Sequence, residues 1–209
     1  MNSNSKVREY LFTFVTAVLA GIAIGIGGIV FLSLEDKVVG ALMFTVGLYS
    51  ICAHGLSLFT GKVGYLVNEK PPYLITLLII WLGNLSGTWL AAQAALASRI
   101  SGIAEKAASM CETKANDSFI SLFLLAIFCG MLMYIAVDGY KKVKNPIILF
   151  ICVAGFILCG FEHCIADMFY FSVAGAWSAD ILLRTVVITL GNAVGGILIP
   201  LAMKLKAAE

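Results

Sequence analysis

The chain has 209 residues, 61% hydrophobic and 12% charged, with a mean hydropathy of +0.99. Soluble domains carry about 25% charged residues, so the composition excludes a soluble enzyme and points to a single membrane domain over residues 1–209. A net charge of +2, with no basic run that reads as a binding patch, excludes nucleic acid as a partner.

The opening MNSNSKVREY does not read as a signal peptide, because the apolar stretch behind it is too long and lacks a small-residue cleavage pattern. A spanning helix needs about 20 mostly apolar residues. Six stretches qualify, roughly Tyr10–Leu34, Val38–Leu66, Tyr73–Ala97, Phe119–Val137, Ile147–Val173 and Ile181–Met203. The polar stretch 98–118 is expected to be an extramembrane loop. Placed on this alternation, Lys6, Arg8, Lys70, Lys141, Lys142, Lys144, Lys204 and Lys206 fall on one side, which is the more basic one. Basic loops stay cytoplasmic, so both termini are expected inside a cell (inner or plasma) membrane.

The second and fifth stretches are irregular, the second through CAHGLSLFTGKVGYL and the fifth through CGFEHCIADMFYFSVAG. Each is followed by a glycine–asparagine signature, GNLSG at 83–87 and GNAVG at 191–195. The pattern predicts an all-α fold of six transmembrane helices built as a three-plus-three repeat, about 8–97 and about 118–205. The second and fifth helices are broken. Because the second unit starts on the opposite side from the first, the repeats are inverted, a design that places discontinuous helices around a central site.

Polar residues at membrane depth are costly and mark function by default. His163, at the break of the fifth stretch, reads either as a pore-lining imidazole or as an interhelical hydrogen-bonding residue. Glu162 and Asp167 read as structural at the break, the first accepting freed backbone N–H groups and the second capping the next half-helix, with Asp167 turned away from the lumen. Thr60 fits either a pore hydroxyl or a helix cap. Lys62 either snorkels to the interface or lends positive potential to an anion path. Asn84 and Asn192 are expected to bond the loose backbone of a neighbouring broken helix. His54, with His163, Glu162 and Asp167, is too weak a set for a metal site; no metal or other cofactor is expected. Of the six cysteines, only Cys111 lies in a polar stretch; all read as packing residues rather than a disulfide framework. Two further function classes fit less well, a membrane-embedded enzyme using His163 and Glu162, and a metal-cation transporter.

GFEHCIADMFY closely resembles the GFEHSIANMF stretch typical of the formate–nitrite transporter family, and LSLFTGK resembles that family's LFT-centred loop. The two glycine–asparagine stretches also sit where the family has them, and the likeness runs from about residue 7 to 205. The resemblance implies an aquaporin-like protomer, a homopentamer with a lipid-plugged axis, and transport of small monovalent anions such as formate, nitrite or hydrosulfide, in several members with protons. It implies His163 as the central pore histidine and Thr60, Leu58 and Phe59 as the first-break loop, with Leu58 and Phe59 toward the extracellular side. Phe44, Leu48 and Phe156 become cytoplasmic constriction positions, and Lys114 an extracellular-vestibule lysine that attracts anions. The chain departs from the family at Gly130 and Met133 near the outer constriction, at Lys62, and at Asp167 where asparagine is common. With about eight residues before Tyr10, the family's long helix ahead of the first span is not expected here.

Overall fold

A computed structural model describes residues 3–206. The first half contains α1 (Ser3–Ser33), α2 (Lys37–Met43), α3 (Thr45–His54), the short α4 (Phe59–Lys62) running into a 3-10 helix (Val63–Asn68), and α5 (Tyr73–Leu96). The second contains α6 (Ile103–Asn116), α7 (Phe119–Val143), α8 (Ile147–Leu158), α9 (Cys164–Val173) and α10 (Ala179–Lys206). Five stretches among the described residues are long and apolar enough to cross a membrane: Ser5–Ser33, Lys37–His54, Tyr73–Leu96, Phe119–Val143 and Ala179–Lys206. Helices α8 and α9 are shorter and apolar. Large apolar side chains such as Ile120 (74% exposed) and Ile151 (67%) face outward, as expected of a surface solvated by lipid rather than water.

Helix α1 lies along α5, and α7 lies along α10. Both pairs approach closely because the last glycine of each GN-x-x-G stretch has no side chain. A Cβ on Gly87 would sit 2.0 Å from the Val18 carbonyl oxygen, and one on Gly195 would sit 2.0 Å from that of Ile127. Small residues at such crossings allow helices to pack backbone to backbone.

The two interruptions are built alike. Helix α3 is capped by Gly55 (φ 65°), and α8 is capped by Cys159, directly followed by Gly160 (φ 70°). In each case the N–H beyond the glycine reaches back five residues, Leu56 to the Ile51 carbonyl (3.0 Å) and Phe161 to that of Phe156 (2.9 Å). This six-to-one closure is the left-handed helix stop that glycine makes at no steric cost. It redirects the chain between the two helical pieces on either side of each interruption. The backbone groups it frees are held by the two asparagines. Asn84 Oδ1 accepts from Phe59 N–H (2.9 Å), while its Nδ2 donates to the carbonyls of Ala17 (2.8 Å) and Ser57 (2.9 Å). Asn192 Oδ1 accepts from Cys164 N–H (2.9 Å), and its Nδ2 donates to the carbonyls of Ala126 (2.8 Å) and Glu162 (2.7 Å). Each amide thus ties a broken helix to a straight one, using three of its four hydrogen-bonding sites.

The stretch 98–118 is not a loop. Residues Ile103–Asn116 form α6, whose buried Ile103, Ala107 and Cys111 recur every fourth residue and pack it onto the bundle. Lys106 pairs with Glu35 (2.9 Å), and Arg184 on α10 donates to the carbonyls of Lys114 (3.1 Å) and Asp117 (2.6 Å), fixing both ends of α6. This end of the molecule is called the α6 end below.

Candidate functional site: a buried histidine between two cavities

At the second interruption His163 leaves helical geometry (φ −113°, ψ 105°) and becomes the N-cap of α9. Its Nδ1 accepts from Ala166 N–H at 3.1 Å, and its Nε2 lies 2.9 Å from Thr60 Oγ1 on α4. The first bond requires an unprotonated Nδ1, so the neutral ring carries its hydrogen on Nε2 and donates to Thr60. The Thr60 hydroxyl hydrogen remains to be donated elsewhere. Both residues are buried, at 2% and 1% exposure. Phe156 stacks on the imidazole (centroids 5.5 Å apart), and Phe44 meets Phe156 edge-on at 5.9 Å. Leu48, fully buried, is one turn farther along α3.

Toward the α6 end lies a cavity of about 300 Å³ whose lining includes Phe156, His163, Glu162, Asp167, Lys114 and Lys37. Lys114 reaches in from α6 and pairs with both acids, in contact with Glu162 and 3.0 Å from Asp167. Burial works to lower the Lys114 pKa, but Asp167 and Glu162 outweigh it and hold the ammonium above its ordinary value. At the opposite end a smaller cavity of about 70 Å³ is lined by Leu58, Lys62, Tyr140, Lys141, Lys144 and the Gly55 turn, among others. No residue lines both cavities. The His163–Thr60 pair and the rings of Phe44 and Phe156 lie between them.

Several expectations need correction. Asp167 does not cap α9, since His163 occupies that position; it lines the larger cavity, bound to Lys114, with its Oδ2 buried and unpartnered. The Glu162 carboxylate does not take up freed backbone either: it binds Lys114, and it is the Glu162 carbonyl that Asn192 holds. Both Glu162 and His163 line one cavity because the backbone between them is extended, which lifts the 100° separation that a helix would impose. The two sets of constriction residues are exchanged. Phe156 shares its cavity with Lys114, whereas Leu58 shares one with Lys62, Lys141 and Lys144. Gly130 and Met133 line neither cavity. Gly130 is a packing position, where a Cβ would fall 2.2 Å from the Asn192 carbonyl oxygen, and Met133 is buried. Phe59 is buried, its N–H on Asn84, and His54 is exposed at the end of α3.

Lys37, Phe31 and Tyr170 at the α6 end, and Lys141 and Lys144 at the other, were not singled out from the sequence. In the sequence Lys141 and Lys144 serve only as topology signals, and the convergence of these residues on cavities depends on long-range packing.

The formate/nitrite transporter family model matches residues 3–205. A formate channel, FocA, of Haemophilus influenzae is 26% identical over 201 residues, covering 77% of this chain and 70% of its own length. FocB of Escherichia coli K12, also a formate channel, is 26% identical over 188 residues, covering 78% and 66%. The chain thus spans about two thirds of the length of these relatives. Among solved structures, a pentameric formate channel with formate bound superposes with a TM-score of 0.84 at 24% identity, covering 97% of this chain and 99% of that one. An ion channel of the same family gives 0.85 at 21% identity, covering 97% and 92%. At these identities the superpositions speak for the fold alone. The sequence match over nearly every residue carries the assignment: the chain belongs to the formate/nitrite transporter family.

Proposed function

We propose that the protein is a channel or channel-like transporter for small monovalent anions, with formate the first candidate and nitrite and hydrosulfide after it. The observation that carries this is the buried His163–Thr60 pair, set between cavities that reach in from the two ends of the bundle. A bare anion entering an apolar constriction loses its hydration at large cost. Here the Thr60 hydroxyl hydrogen is free to donate to an anion, Nε2–H of His163 can turn from Thr60 Oγ1 to join it, and the apolar side chains of Phe44, Leu48 and Phe156 surround the pair. Delivering a proton to the anion from Nε2 would first require a proton on Nδ1, breaking the bond from Ala166 N–H. The geometry therefore favours hydrogen-bond donation by a neutral ring over direct proton transfer, and proton coupling would draw its proton from the aqueous mouths.

The matching networks of Asn84 and Asn192 support an inverted three-plus-three repeat in which each amide secures one broken helix. The pentameric state of a structural neighbour supports a homopentamer, and the outward-facing apolar side chains fit membrane lipid around it. The basic Lys141–Lys144 segment supports a cytoplasmic placement of that end and of both termini, in the cell membrane. The enzyme reading is weakened because the Glu162 carboxylate is committed to Lys114 rather than to His163.

Purified protein in liposomes should conduct formate well above protein-free vesicles while leaving a potassium gradient intact. Cation flux, or no flux of formate, nitrite or hydrosulfide, would overturn the reading.

A further inference from the structure

The two mouths differ in charge. The α6 cavity is lined by two basic and two acidic residues, Lys37 and Lys114 against Glu162 and Asp167, with Lys114 held by both acids. The opposite cavity is lined by Lys62, Lys141 and Lys144 and by no acid. The acid near it, Asp138, is engaged by Lys142 (2.7 Å) and by the Tyr65 hydroxyl (3.5 Å).

Aromatic rings and the backbone set these lysines in place. The Lys141 ammonium lies 4.3 Å from the Tyr65 ring centroid and donates to the Tyr65 hydroxyl at 2.8 Å, while that of Lys144 lies 5.9 Å from the Tyr140 centroid. Lys144 itself caps α7 in the left-handed conformation (φ 58°), the one non-glycine residue among the described residues with positive φ. Glycine would occupy that position without strain. Half-buried Lys62 has no hydrogen-bond or ion-pair partner for its ammonium among the described residues, and it projects from α4, two residues after Thr60.

Three lysines lining about 70 Å³ with no acid among them carry more charge than one monovalent ion neutralises. We propose that Lys62, Lys141 and Lys144 form a site for a small divalent oxyanion, sulfate or phosphate in chemistry, at the mouth opposite α6. A dianion of this kind matches more of the site's charge than formate does. Its desolvation cost rises steeply with charge, so it cannot follow a monovalent ion past Leu48 and Phe156. It therefore sits at the mouth as a plug. The plugging role rests on the anion-channel reading; the binding does not.

Two measurements separate these. In neutral-lipid vesicles, sulfate should lower formate flux several-fold more than chloride at matched ionic strength, the matching being needed because salt screens the lysines. Lys62→Gln should raise the half-inhibitory sulfate concentration about tenfold, the scale of one partly desolvated charge pair. Vesicles containing phosphatidic acid test a headgroup source: inhibition there without added sulfate, relieved in Lys62→Gln, would assign the natural dianion to lipid. Independently of transport, sulfate should raise the Tm of the detergent-purified wild type more than chloride does, and Lys62→Gln should remove that difference. If sulfate and chloride act alike on the wild-type melt, no such site exists. If sulfate stabilises the wild type through Lys62 but formate flux is insensitive to it, binding stands and the plugging role falls. If formate does not cross at all, it is the channel reading that fails, and the melt still decides the site.

Discussion

Lys114→Met is expected to lower the stability of the purified protein by about 3–5 kcal/mol, the cost of leaving one side of a buried ion pair unpaired. The side chains of Lys114, Glu162 and Asp167 are 11%, 6% and 2% exposed, and Asp167 Oδ2 already lacks a partner. Removing the ammonium leaves the two acids facing one another without the cation that pairs them. The effect should propagate beyond α6, because Glu162 precedes His163 directly and its carbonyl is held by Asn192. A triple variant, Lys114→Met with Glu162→Gln and Asp167→Asn, should recover most of the lost stability, since it removes the charges together. Melting of all three proteins in detergent checks this. A single variant that melts like the wild type would mean the three groups are not a closed cluster. The same arrangement bears on Lys114 as an attractant: its ammonium is already paired with Glu162 and Asp167.

Asn192→Leu is the second large effect. The substitution deprives Cys164 N–H of its acceptor and the carbonyls of Ala126 and Glu162 of their donors, all within the buried interior. Each buried backbone group left unsatisfied costs about 1–3 kcal/mol, so a loss of at least about 3 kcal/mol is expected. Asn84→Leu should behave similarly through Phe59, Ser57 and Ala17. Thermal melts of the purified variants would show it. Wild-type melting of either would mean that the interruptions hold themselves without the asparagines.

Much of this was legible in the chain. Glycine beside polar residues in otherwise apolar runs marks both interruptions, because non-helical backbone at membrane depth needs special partners. The repeated GN-x-x-G supplies those partners one helix later. Helix α6 was also readable, through the four-residue spacing of Ile103, Ala107 and Cys111, but its polar majority masked the stripe. The sides of the constrictions follow from chain direction. Helix α2 begins at the α6 end with Lys37, so Phe44 precedes the centre and Leu58 follows it. Phe156 was harder to place. The left-handed turn at Gly160 sends the chain back, bringing residue 156 level with residue 163 and stacking their rings. No local rule reveals the pairing of Lys114 with acids 48 and 53 positions away, or the gathering of Lys62, Lys141 and Lys144. Those depend on how α6 and α7 dock against the interrupted helices.

That small anions cross at the His163–Thr60 pair is tested most directly by formate flux into liposomes across a pH series, wild type beside His163→Phe. Loss of the cap leaves one buried N–H, that of Ala166, unpartnered at a cost of about 1–3 kcal/mol, so the variant should still fold though melt lower, and His163→Asn, which keeps a cap oxygen but cannot reach Thr60, guards against misfolding. Flux in both variants should fall to the level of protein-free vesicles at every pH, with His163→Asn melting close to wild type. Undiminished flux with the wild-type pH dependence in folded His163→Phe would place the anion's path elsewhere.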